Sequence, residues 1–109
     1  NAIEPQDVQA TLIQLTAETI ADEINNLDTK IDEVFVCGGG AFNGALMAKL
    51  HGVLDASVDS TATLGLDPNW VEACAFAWLA KQRIEGSAGN IAGVTGAERE
   101  TVLGGLYLP

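Results

Sequence analysis

Val36-Cys37-Gly38-Gly39-Gly40-Ala41-Phe42-Asn43 completes a short β-branched and aromatic run, Glu33-Val34-Phe35-Val36-Cys37, with three consecutive glycines. The run reads as a buried strand, and the glycines as the turn that ends it. Beyond the turn, Asn43 can cap a helix carrying Leu46, Met47 and Leu50, with Gly52 placed to end it. Glycines at such a place let the backbone approach a ligand closely. The helix start offers unpaired N–H groups and a positive dipole end to an anion or a polar ligand edge. The stretch is neither G-x-G-x-x-G nor a P-loop, because no Lys-Ser or Lys-Thr follows. A tight strand-to-helix turn that binds nothing would look similar.

Upstream, residues 6–27 predict a long amphipathic helix, with Val8, Leu12, Ile20, Ile24 and Leu27 on one stripe that Ile13 and Ala17 widen. Pro5 sits where a first helical turn accepts proline. Glu4, Gln6, Asp7, Glu18, Asp22 and Glu23 fall mostly on the outer face and read as solvated surface. A polar break over residues 25–32 separates this helix from the strand. Downstream, Ala56-Ser57-Val58 predicts a second short strand, and a Ser/Thr-rich loop over residues 59–63 leads to Gly65. Asp67-Pro68 is a helix start, since the carboxylate can cap free N–H groups while proline occupies the first turn.

The helix expected from Trp70 to Ile84 is apolar on nearly every side, so it needs protein on more than one face. Residues 86–96 read as a loop, and residues 102–108 as a last apolar segment, an edge strand ending at Pro109. The order helix, strand, glycine turn, helix, strand, helix is that of an α/β layer with crossover units, with too few strands for a complete sheet. There is no internal repeat, coiled coil or low-complexity segment.

A chain of 109 residues suits one compact domain, and 48% hydrophobic against 18% charged residues places it far from disordered compositions. Fifteen acids against five bases give a net charge of -10, which repels a phosphate backbone and argues against nucleic-acid binding. Phosphate held here would have to be held by backbone N–H groups, a metal ion or residues outside the chain. Cys37 and Cys74 lack zinc-site spacing and are too few to staple a secreted scaffold, so both are expected as small buried hydrophobes in a reducing cytoplasm. The first residues, beginning at Asn1, have no signal-peptide pattern and read as a cut. Every apolar stretch is interrupted before the ~20 residues a membrane span needs.

Glu72 is the only carboxylate between Trp70 and Leu79. It could orient a hydroxyl-rich substrate or hold a water, or it could be an exposed acid favoured by the helix dipole. Asp59 reads as a loop acid and Asp67 as a cap, so neither carries a metal assignment. His51, the single histidine, has no catalytic partner at a telling spacing, and Trp70 and Trp78 read as core or interface.

Read together and in order, three stretches resemble the end of the anhydro-N-acetylmuramic acid kinase family. They are the glycine turn with its flanks, Gly65-Leu66-Asp67 leading into Glu72-Ala73-Cys74-Ala75-Phe76-Ala77-Trp78-Leu79-Ala80, and Gly89-Asn90-Ile91 with Val94-Thr95-Gly96-Ala97. The match covers nearly the whole chain, and the last two motifs are far more specific than the glycine turn. Ala88 and Ala92 stand where family members usually carry prolines.

The resemblance implies a partial ribonuclease-H-like domain of the actin, sugar-kinase and heat-shock chaperone superfamily. Residues 1–109 would be the C-terminal part of its second, nucleotide-side domain, with the N-terminal domain absent. The implied reaction uses ATP and Mg2+ to phosphorylate 1,6-anhydro-N-acetylmuramic acid with hydrolytic opening of the anhydro ring. The product is N-acetylmuramic acid 6-phosphate, formed in bacterial peptidoglycan recycling by a cytoplasmic enzyme that is a homodimer at full length.

Carried over by position, Gly38, Gly39 and Gly40 would line the adenosine side of the cleft with Asn43 close by, and Glu72 would contact the substrate. The resemblance places the general base, an aspartate, and the first phosphate loop in a preceding part of the chain. Alone, this stretch is therefore expected to be inactive, and to associate or lose order through the apolar faces near Val34 to Cys37 and Trp70 to Leu79. Two other readings stay open. One is another ATPase or carbohydrate kinase of the superfamily, against which the Gly-Asn and Val-Thr-Gly-Ala segments speak. The other is a non-catalytic interaction module whose apolar helix docks a partner.

Overall fold

A computed structural model describes residues 4–107. The chain divides into two compact units, Asn1–Trp70 and Val71–Pro109.

The first unit begins with α1, Pro5–Asn25, which has proline in its first turn as its sequence suggests. The hydroxyls of Thr11, Thr16 and Thr19 donate to the carbonyls of Asp7, Leu12 and Leu15, one turn back. Each hydroxyl is satisfied within the helix by sharing a carbonyl that already accepts a backbone N–H, at a small cost to helix stability. The buried face of α1 is centred on Ala17 and Ala21, flanked by Ile20 and Ile24, whereas Val8, Leu12 and Leu27 are exposed. The large apolar residues therefore mark a wider stripe than this unit buries, and the fully covered positions are the alanines, whose small methyl side chains let a neighbouring element come close.

Strand β1, Glu33–Val36, pairs in parallel with β2, Ser57–Ser60, in the register Val34↔Val58 and Val36↔Ser60. Parallel strands need a crossover, supplied here by α2, Gly44–Val53. Leu50 of α2, Leu54 and Val58 join Ala17 and Ala21 in one core, with Val34, Val36, Leu46, Met47 and Val53 packed against it. Leu50 and Val58 are each 1% exposed, so each contributes on the order of 1.5–3 kcal/mol by leaving water. Val34 and Val36 face this core, so alternation along the strand puts Phe35, and its register partner Asp59, on the other face of the sheet. Gly52 does not end α2, which runs one residue further and closes with the Leu54 N–H on the Leu50 carbonyl.

The second unit is built on α3, Val71–Glu85, none of whose residues is buried. Its C-terminus is a Schellman motif: Gly86 is left-handed (φ 67°), Gly86 N–H donates to the Arg83 carbonyl, and Ser87 N–H donates to that of Gln82 at 2.9 Å. The expected loop contains a short helical turn, α4, Ala92–Thr95, ended by left-handed Gly96. Residues 102–107 form no strand, contrary to the edge strand expected there, and Leu108 and Pro109 lie outside the described residues. Leu103 and Leu106 instead lie with Phe76, Leu79, Ile84 and Arg83 along an apolar groove of about 370 Å³.

Candidate functional site

In a parallel α/β sheet, ligands meet the carboxyl ends of the strands. Because Val36 pairs with Ser60, the chain leaves β1 and β2 at the same edge. From β1 it enters the glycine turn, in which residues Gly39–Phe42 make one 3-10 turn. From β2 it enters a second 3-10 turn, Thr61–Leu64, closed by left-handed Gly65 (φ 82°). A third, Pro68–Trp70, packs against the glycine turn.

Each glycine is used differently. Gly38 has φ 69° and ψ -165°, a region essentially confined to glycine. Its N–H donates to the Pro68 carbonyl at 2.9 Å and its carbonyl accepts from Ala41 N–H at 3.2 Å. Gly39 has no neighbouring atom within 4 Å of where a Cβ would stand, so its backbone is open to anything approaching the edge. A Cβ on Gly40 would lie 3.5 Å from Leu46 Cδ2, an ordinary packing distance. Of the three, Gly38 is required by backbone conformation, Gly40 faces the packed interior and Gly39 faces open space.

Asn43 caps α2, with its Oδ1 accepting from the N–H groups of Ala45 and Leu46, both at 3.2 Å. Two of the free amides at that helix start are thereby satisfied from within the chain, leaving Nδ2 of Asn43 as its side-chain donor to the outside.

Gly38, Gly39, Gly40 and Asn43 thus share one edge. Glu72 belongs to the other unit, where it is an exposed residue in the first turn of α3. The apolar residues of α3 lie at the surface: Phe76 is 69% exposed, and Trp78 and Ile84 are exposed too; Trp70, in the turn that ends the first unit, is likewise exposed. Cys37 and Cys74 are exposed free thiols rather than the buried residues expected, Cys37 because it follows the last paired strand residue and Cys74 because α3 has no cover. His51 is exposed in the last turn of α2.

Sequence reasoning overlooked the Pro68 carbonyl as the anchor of Gly38; a backbone acceptor leaves no mark in residue type. Asn90 has a similarly local role: its Oδ1 accepts from Thr101 N–H at 2.7 Å and its Nδ2 donates to the Arg99 carbonyl at 3.1 Å. Among the described residues no group of three His, Cys, Asp or Glu side chains could hold a metal ion, and no helix is long and apolar enough to cross a membrane.

A parallel βαβ unit with a glycine turn at its carboxyl edge is an α/β arrangement suited to a ligand at that edge, and comparison with known proteins gives it a family. The family described as anhydro-N-acetylmuramic acid kinase matches residues 1–109. Proteins named anhydro-N-acetylmuramic acid kinase from Shewanella woodyi, Thiobacillus denitrificans and Pasteurella multocida are 51%, 49% and 49% identical to it, over 93%, 96% and 97% of this chain. The chain belongs to the anhydro-N-acetylmuramic acid kinase family. It spans only 27%, 28% and 29% of the length of those three relatives.

Proposed function

We propose that this chain is the C-terminal part of the nucleotide-side domain of an ATP-dependent kinase acting on 1,6-anhydro-N-acetylmuramic acid. The domain is a ribonuclease-H-like one of the actin and sugar-kinase superfamily, and the βαβ unit is the part of it carried here. Phosphorylation with hydrolytic opening of the anhydro ring yields N-acetylmuramic acid 6-phosphate. The full-length protein works as a homodimer in a bacterial cytoplasm.

The observation that supports this reading is the open backbone at Gly39, held beside a glycine-only conformation at Gly38 on the carboxyl edge of the sheet. Packing within the chain gives no reason for a missing side chain at Gly39. An adenosine lying against the turn would give one. In this reading Gly38, Gly39 and Gly40 form the floor under the nucleotide, Asn43 Nδ2 offers a donor beside it, and Glu72 meets hydroxyl groups of the amino sugar.

Mg2+ in such a site would be held mainly by the ATP phosphates and waters, with one or two carboxylates. Phosphoryl transfer is catalysed by positioning and charge stabilisation from both walls of a closed cleft. This chain supplies one wall and is inactive by itself.

The test is an assay of the full-length protein with ATP, Mg2+ and the anhydro sugar, run beside the 109-residue chain. Sugar phosphate from the full-length protein and none from the chain alone is the expected result. A folded full-length protein that makes no product sinks the substrate assignment, and turnover by the chain alone sinks the one-wall account.

A further inference from the structure

We propose that Asp67 is a positioning residue for the nucleotide, acting through the Pro68–Trp70 turn on Gly38; the inference rests on the reading that the glycine turn meets ATP. Gly38 is held in its unusual conformation at both backbone groups, internally by Ala41 and externally by Pro68. The external hold is a carbonyl from a distant part of the chain, and it points at Gly38 only while residues 67–70 keep their shape. Pro68 itself is buried, which fixes its ring but leaves its peptide plane to the turn around it.

Asp67 closes that turn twice. Its carbonyl accepts from Trp70 N–H at 2.9 Å, and its side-chain Oδ1 accepts from Asn69 N–H at 2.9 Å. The second bond is the one a substitution can remove. Asp67 is exposed, so removing its side chain opens no cavity and leaves the core of the first unit intact. An exposed aspartate that satisfies a local amide is ordinarily a stability device worth little beyond its own turn. Here the residue next to Asp67, Pro68, carries the acceptor that fixes the nucleotide floor, so loosening the turn displaces Gly38 and Gly39 together. The sequence reading of Asp67 as a cap is correct as far as it goes, and the consequence for Gly38 is visible only in three dimensions.

The test uses the full-length protein carrying Asp67→Ala or Asp67→Asn, with Gly39→Val alongside. Steady-state kinetics give KM for each substrate and kcat, and hydrogen exchange followed by mass spectrometry reads the segment over residues 36–43. Asp67→Ala is expected to raise KM for ATP about five- to tenfold, the effect of losing about one hydrogen bond's worth of order. KM for the amino sugar stays as it was, and exchange over the glycine turn quickens. Asp67→Asn is expected to restore the wild-type KM for ATP, since its side-chain oxygen accepts the same bond.

An unchanged KM for ATP in Asp67→Ala, or an equal rise for both substrates, overturns the positioning role. Should Asp67→Ala not fold, Asp67→Glu replaces it: the misplaced carboxylate is expected to raise KM for ATP, and no rise overturns the role. Gly39→Val separates the two readings. If it raises KM for ATP while the Asp67 variants do not, only the role of Asp67 fails. If it too leaves KM for ATP unchanged, the glycine turn is not the nucleotide floor.

Discussion

Asn90 splints the loop after α3 to Thr101: its Oδ1 takes the Thr101 N–H at 2.7 Å, and the Gly89 N–H beside it donates to the Thr101 carbonyl at 3.0 Å. With the Nδ2 bond to the Arg99 carbonyl, one residue ties two strands of irregular chain that have no ladder to hold them. Asn90→Ala is expected to destabilise the second unit by about 1–2 kcal/mol, because both bonds go at once. Asn90→Asp keeps the acceptor for Thr101 but turns an oxygen on the Arg99 carbonyl, and falls in the same range. Denaturant midpoints, with hydrogen exchange over residues 99–107 to localise the loss, check both.

Gly89 is also a packing requirement. A Cβ there would come within 3.1 Å of Leu79 Cδ2 and 3.3 Å of Leu103 Cβ. Leu79 can rotate its terminal methyl away, but the Leu103 Cβ moves only with its backbone. Gly89→Ala is expected to cost about 1–3 kcal/mol by overpacking. Combining it with Leu103→Gly should recover less than the full loss, because the apolar groove then loses a wall.

Neighbouring glycines of the turn should separate cleanly. Gly38→Ala places a side chain at φ 69° and ψ -165°, a region essentially confined to glycine, and is expected to cost about 1–3 kcal/mol in stability. Gly39→Ala meets open space and should leave the melting temperature nearly unchanged. In the full-length protein Gly39→Val should nevertheless weaken ATP binding. Thermal melts paired with nucleotide titration distinguish a residue kept for conformation from one kept for access.

Removing the Asn43 cap leaves the amides of Ala45 and Leu46 to water, and Asn43→Ala is expected to cost about 1 kcal/mol. Asn43→Asp retains the acceptor and should stay near wild-type stability while losing the Nδ2 donor. A nucleotide affinity that is weaker in the aspartate variant at equal stability, and stays weaker at a salt concentration that screens the added negative charge, would assign that donor to the ligand.

Cys74 reports on the cover of α3. It is exposed here, so in the 109-residue chain it should be alkylated by iodoacetamide at the rate of an unhindered thiol. The full-length protein is expected to protect it at least about tenfold if the remaining sequence packs on α3, since reaction then requires opening. Equal rates would leave α3 as a surface for another molecule.

Much of the first unit was legible because its signals are local. Pro5, the alternation through Val34 and Val36, the glycine turn and the Asn43 cap each declare their conformation through their own chemistry. Burial was less legible. Val8 and Leu12 carry the same apolar signal as Ile20 and Ile24, and which of them is covered depends on where α2 lies, a fact held in no single helix. The tail over residues 102–107 misled for a related reason: Val102, Leu103, Leu106 and Tyr107 have strand-like composition, yet Gly104 at φ 83° breaks the extended path. At the site, side chains could be named in advance, but the Pro68 carbonyl could not, because every residue has one.

Among the described residues the sheet has two strands, so β1 and β2 each keep one rim of amides and carbonyls with no strand beside it. Such a rim is a template onto which a further strand can be laid, whether from the same polypeptide or from a stranger. The net charge of -10 sets copies of this chain against one another and guards the rim at low ionic strength. Salt weakens that guard, since ions at about 0.15 M shorten the reach of the repulsion to about 8 Å. Self-association of the 109-residue chain should therefore climb with ionic strength, the reverse of what an interface built on opposite charges would do.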